Sequence, residues 1–184
     1  MGIILVLIAF ILLVSLYLWS LYNSLITLKM RIKEAWSQID VQLKRRTDLI
    51  PNLVSSVKGY VKHEKTVLEN VTRARSALVK AETMADKAVA NNQLSDALKS
   101  LFAVAESYPN LKANENFLQL QKELSDTEDK VAYARQFYNT AVLEYNTKIA
   151  VFPNVFLANS LGFKTEDFFQ TEEEERKKVT VKFD

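Results

Sequence analysis

From Gly2 to Thr27 the chain carries no charged residue, and Ile3 to Leu21 is almost purely aliphatic; Lys29 is the first charge of any kind. At a helical rise of ~1.5 Å per residue, about 20 such residues make a rod of ~30 Å, the thickness of a bilayer's hydrocarbon core. Residues 1–27 therefore read as a transmembrane anchor. A secretory signal peptide would open on basic residues, carry a shorter apolar run and close on a small-residue cleavage site. Here no basic residue precedes the run, and Ser15 and Ser20 stand isolated among bulky neighbours. A buried core helix would be shorter and would show a polar face. Tyr17, Trp19 and Tyr22 cluster at the end of the run, where amphipathic rings favour the headgroup layer. Lys29, Arg31, Lys33, Lys44, Arg45 and Arg46 all follow it, so the positive-inside rule expects a single-pass protein with its N-terminus outside and the rest in the cytosol.

The remaining residues fit one domain large enough for a core. Three glycines and three prolines are spread through 184 residues, and Gly59 is the sole glycine between Gly2 and Gly162. A chain so poor in turn formers, and rich in Ala, Leu, Lys, Glu and Gln, is expected to be all-α. Cysteine is absent, so no thiol chemistry is available. The net charge of +2 makes no electrostatic case for nucleic acid. The juxtamembrane bases are expected to meet anionic lipid.

Positions Ile32, Trp36, Ile39, Leu43, Arg46, Ile50, Leu53, Val57, Tyr60, Glu64, Val67, Val71, Ala74, Leu78, Ala81, Ala85 and Ala88 step by four and three alternately, and only Arg46 and Glu64 among them are charged. That 3.5-residue repeat is a coiled-coil-like seam. Pro51 predicts a kink or break near residues 47–51, and the chain reversal is expected around Lys62 to Lys65, with 47–51 as the alternative. Asn91 and Asn92 read as a turn. A short helix is expected after them, with Leu94, Leu98, Leu101, Ala105 and Tyr108 as its seam, and a further turn at Tyr108-Pro109-Asn110. A last long helix is expected over ~111–150, with Phe117, Leu120, Leu124, Thr127, Val131, Ala134, Tyr138, Ala141 and Tyr145 as its seam. Short links imply antiparallel neighbours. The expected architecture is an N-terminal transmembrane helix followed, over 28–150, by an up-down antiparallel bundle of long helices.

Residues 151–170 change character. Val155, Phe156, Leu157, Leu161, Phe163, Phe168 and Phe169 form a second apolar cluster, expected to cap the bundle's open end; the sharper alternatives are a segment lying in the lipid interface and a contact with a neighbouring subunit. Residues 171–184 read as a charged, solvated tail with a strand-like end at Val179 to Phe183.

These blocks resemble a known family. Tyr22-Asn23, Ala35-Trp36, Ile39-Asp40-Val41-Gln42-Leu43, Asp48-Leu49-Ile50-Pro51-Asn52-Leu53-Val54, His63-Glu64, Arg73-Ala74-Arg75, Tyr108-Pro109, Leu111-Lys112-Ala113, Asn116-Phe117 and Ala134-Arg135-Gln136 with Tyr138-Asn139 look like the bacterial LemA family. The resemblance implies a membrane anchor followed by a helical bundle and no established catalytic activity. It also implies an association with bacterial membrane organisation, magnetosome compartments included, and a frequent genomic neighbour in a membrane metalloprotease.

Chemistry-bearing motifs are few. His63 is the only histidine, whereas a di-iron bundle or an H-E-x-x-H zinc site needs at least two. The glycines lie too far apart for a phosphate loop. No cofactor, metal or small-molecule substrate is expected. Asn70-Val71-Thr72 matches the glycosylation pattern, and on a helix of a cytosolic bacterial domain it reads as chance. Two features stand out. Arg46 and Glu64 are charges at seam positions, read as a structural ion-pair network with Asp48, Glu128 or Arg135, in preference to a functional site. The pairs Tyr138-Asn139 and Tyr145-Asn146 lie one heptad apart, so their amides share a face; interhelical hydrogen bonds that set register are the expected role. With Phe156 and Phe163, these are the candidate interaction residues. The reading drawn from them is a non-enzymatic, membrane-anchored scaffold that self-assembles as a homo-oligomer on the lipid bilayer and organises a membrane region. The alternative is an adaptor or regulator of another membrane protein, such as a protease or envelope-stress component.

Overall fold

The computed structural model describes residues 1–61 and 64–169. Among them are six helices and no strand: α1 (Gly2–Lys58), α2 (Lys65–Lys80), α3 (Met84–Ala105), α4 (Pro109–Lys112), α5 (Glu115–Ala150) and α6 (Asn154–Ser160). The architecture is all-α, a long apolar N-terminal helix leading into a helical bundle. His63 and the charged tail with its strand-like end lie outside the described residues.

Anchor and first bundle helix are one helix, which continues through Pro51 without a break. A proline inside a helix removes one N–H and so orphans the carbonyl four residues earlier. That carbonyl belongs to Thr47, and the Arg75 Nε–H of α2 donates to it at 2.8 Å. A side chain from the neighbouring helix replaces the hydrogen bond the proline cannot make. The reversal falls instead after Gly59, between the ends of α1 and α2.

Two turn expectations are corrected. Asn91 and Asn92 sit inside α3. The turn comes earlier, after Lys80, and α3 opens at Thr83, whose Oγ1 accepts from the Asp86 N–H at 3.1 Å. This N-cap starts the helix without glycine or proline, and Ala85 consequently leaves the seam and is exposed. Pro109 does not occupy the turn but opens α4, in the first-turn position where its missing N–H costs nothing. The last helix accordingly begins at Glu115, capped by Asn114, whose Oδ1 accepts from the Phe117 N–H at 3.0 Å.

The chain divides into two compact units. The larger comprises the described residues of 40–132 together with Phe169. Within it α1 and α2 meet at Thr47 and Arg75, α1 and α3 at Asp40 and Lys87, and α3 and α5 through Phe102 and Phe117, whose ring centres are 6.2 Å apart. Leu43, Ile50, Leu53, Val57, Val71, Leu78, Leu94, Leu101, Phe117, Leu124 and Val131 fill this up-down core. The heptad seams thus mark the buried faces.

The smaller unit comprises 1–39 and 133–168. Here only α1 and α5 run side by side, with Trp36 against Tyr138 at 6.2 Å and Arg31 beside Glu144 at 3.5 Å. Two helices cannot enclose a core, because each buries only one stripe against the other. The third layer is α6 and the extended run after it, which contributes the buried Ala158 and Phe163 to a core with Leu21, Leu25, Ile32, Ile39, Val142, Tyr145 and Ile149. Leu21 and Leu25 therefore belong to the folded unit. The apolar residues from Ile3 to Trp19 are exposed or half-buried, and residues 2–20 make a rod of ~28 Å, long and apolar enough to cross a bilayer.

Candidate functional site

The smaller unit holds the densest polar construction. Asn146 grips the extended run at two points: its Nδ2 donates to the Glu166 carbonyl at 2.9 Å, and the Glu166 N–H donates to its Oδ1 at 3.0 Å. Its amide thereby mimics a neighbouring strand. One heptad earlier, the Tyr138 hydroxyl donates to the Asp167 carbonyl at 3.0 Å. Of the residues in the Tyr-Asn repeat, Tyr138 and Asn146 both bond the backbone of an irregular segment, in place of the expected interhelical hydrogen bonds. Such a segment has no ladder of its own, so its buried backbone groups need side-chain partners.

Nearer the anchor, Lys29 pairs with the Glu166 carboxylate at 3.0 Å, and the Tyr22 ring meets Phe163 edge-on at 5.8 Å. The Tyr17 hydroxyl donates to Asn154 Oδ1 at 2.5 Å, while Asn154 Nδ2 donates to the Lys148 carbonyl at 2.8 Å. Asn154 thus ties the end of α5 to the anchor itself. Burial, reinforced by the charges of Glu166 and Asp167, pushes the Tyr138 phenol up to about 12. Burial likewise raises Tyr145. The Glu166 hydrogen bond and charge raise Lys29. Both tyrosines remain neutral at neutral pH, and Tyr138 serves to position a segment rather than to exchange protons.

Among its described residues the larger unit holds one buried charge. The Arg46 side chain is 1% exposed; its Nη1 donates to Asn91 Oδ1 at 2.7 Å, and its Nη2 lies 3.4 Å from the Glu128 carboxylate. Ser95 Oγ donates to the same carboxylate at 3.0 Å. The expected pairing of Arg46 with Glu128 is present, whereas Asp48 is exposed beside a groove also lined by Lys44, Arg75 and Lys87. Glu64 is half-buried and accepts from the Tyr108 hydroxyl at 3.5 Å. Arg135 is half-buried in the smaller unit, as is Asn139. Phe163 is buried, and Phe156 is 68% exposed. Among the described residues no group of three or more His, Asp or Glu side chains is placed to hold a metal ion.

Sequence reasoning missed Asn91 and Arg75. Asn91 was assigned to a turn because asparagine favours turns; the signal against it was Thr83-x-x-Asp86, a helix-start pattern eight residues upstream. Arg75 could have been sought as the donor that Pro51 makes necessary.

A model of the LemA family matches residues 35–183. The chain belongs to the LemA family. It is 30% identical over 155 residues to protein LemA of Metamycoplasma hominis, an alignment that covers 84% of this chain and 71% of that one. It is 26% identical over 175 residues to magnetosome protein MamQ 2 of Paramagnetospirillum magneticum, and 25% over 174 residues to magnetosome protein MamQ of Magnetospirillum gryphiswaldense. Those alignments cover 81% and 80% of this chain and span 64% of each MamQ protein's length. The LemA match begins after the anchor and takes in Arg46, Asn91 and Glu128 as well as Tyr138, Asn146 and Glu166, but not Tyr17, Tyr22 or Lys29.

Proposed function

We propose that this LemA-family chain is a non-enzymatic, single-pass membrane scaffold of the bacterial cell membrane, with its N-terminus outside and its bundle in the cytosol, that self-assembles and organises a membrane region. The observation that carries self-assembly is a pair of exposed aromatics on α5. Flanking the buried seam, Tyr133 and Phe137 stand four residues apart, 72% and 48% exposed. Residues at that spacing share one side of a helix, and paired exposed aromatics are typical of association surfaces. The exposed Ile26 and Met30 repeat the spacing on α1. Two relatives named as magnetosome proteins support a role in membrane organisation.

The test is the mass and protein content of the complex extracted gently from native membranes. A large assembly of this chain alone, reduced to the single chain by Tyr133→Ser with Phe137→Ser, supports the scaffold. A monomer across mild detergents overturns it. Stoichiometric capture of a second protein makes the chain an adaptor instead, and that protein's activity then names the process.

A further inference from the structure

We infer that the hook formed by residues 151–168, which comprises the turn after α5, α6 and the extended run, is a second membrane contact, with Phe152 and Phe156 inserted in the lipid interface beside the anchor. The inference rests on α1 spanning the bilayer. From Ile149 to Phe163 the chain carries no charge. A buried segment explains that composition only in part, since Phe152 is 81% exposed, Phe156 68% and Val151 44%. The two phenylalanine rings meet edge-on at 6.3 Å, forming one apolar tip.

The tip's depth follows from Tyr17. That residue is part of the exposed apolar rod and hydrogen-bonds Asn154, the residue midway between the two phenylalanines. Tyr17 stands three residues before Ser20, or ~4.5 Å along the helix from the rod's end. The tip is thereby pinned at the level where the rod leaves hydrocarbon for headgroups, and Trp19, 68% exposed, sits at the same level. Aromatic rings are favoured in that layer. A water-facing role would leave two large rings exposed next to a hydrocarbon slab that could cover them. The surface is thus continuous with that of the anchor, and the occupant is lipid.

The chain contains no cysteine, so single cysteines can carry an environment-sensitive fluorophore. Full-length Phe156→Cys, Leu12→Cys and Lys99→Cys are labelled and reconstituted in phosphatidylcholine–phosphatidylglycerol vesicles, with and without brominated acyl chains. Leu12 reports the rod, and Lys99, in the larger unit, gives a water-facing reference. Expected is loss of fluorescence to brominated lipid at 156 comparable with that at 12, with protection from aqueous iodide that position 99 lacks. Phe156 is exposed, so the label should leave helicity unchanged, which circular dichroism verifies. Iodide access at 156 while 12 is quenched by lipid overturns the inference and leaves the anchor standing. Shielding at 156 from both quenchers also overturns it, because protein then covers the tip. Absence of lipid quenching at 12 removes the anchor, and the inference with it.

Discussion

The two units solve one packing problem with different amounts of helix. In the larger, α1, α2, α3 and α5 all contribute, and leucine seams enclose the core with one buried charge among its described residues. In the smaller, α1 and α5 are the only long helices, and the short α6 with the extended run after it supplies the missing side. Helices satisfy their own backbone, so the larger unit needs few side chains for that purpose; Arg75 serves the one carbonyl a proline has exposed. The smaller unit instead spends Asn146, Tyr138 and Asn154 on backbone or hook contacts. Polar side chains on a seam therefore mean different things in the two places.

That contrast can be broken experimentally. The largest effect is expected from Leu124→Asp, which puts an unpaired charge in the leucine core and should cost about 3–5 kcal/mol. Hydrogen exchange should show lost protection over 40–132, and an undiminished melting temperature would show that the seam is misassigned. Next, Tyr138 should make the protein alkali-labile. A phenol raised from 10.0 to about 12 in the folded state leaves stability intact below pH 10.0 and erodes it as pH rises towards 12, because the unfolded chain ionises first. The loss should approach ~2 kcal/mol, and Tyr138→Phe should flatten the dependence in alkaline unfolding curves. A Phe variant with the same slope would locate the titrating group elsewhere.

Smaller effects sharpen the comparison. Asn146→Leu removes both bonds to Glu166 and should release the hook at a cost of about 1–3 kcal/mol, seen as faster proteolysis between residues 160 and 169 with unchanged exchange in α2 and α3. Arg75→Met should cost about 1–2 kcal/mol by orphaning the Thr47 carbonyl, but much less in a Pro51→Ala background, where the helix supplies its own donor. A double-mutant cycle with no coupling would refute that exchange. Glu128→Gln should matter least, at about 0.5 kcal/mol, because its carboxylate is half-exposed and Asn91 still holds Arg46.

Much was legible in the residues alone. The uncharged run, the scarcity of glycine and proline, and the heptad spacing dictate an apolar N-terminal rod and buried seams, since each is a local property of a 3.6-residue helix. Membership of the LemA family was visible in the same blocks; the sequence left Asp48, Glu128 and Arg135 open as partners of the seam charges, and the structure selects Glu128 for Arg46. What stayed hidden is whatever depends on a partner distant in sequence. Pro51 could end a helix or be accommodated within it, and Arg75, on another helix, decides which. Asn91 is turn-prone in isolation, yet stays helical, with its amide on a buried guanidinium 45 residues earlier. Residues 161–168 carry no period to read, because the backbone at Glu166 and Asp167 is held by side chains of α5 rather than by itself. A repeating pattern reveals which face is buried; only the tertiary structure shows what each polar group on that face is there to satisfy.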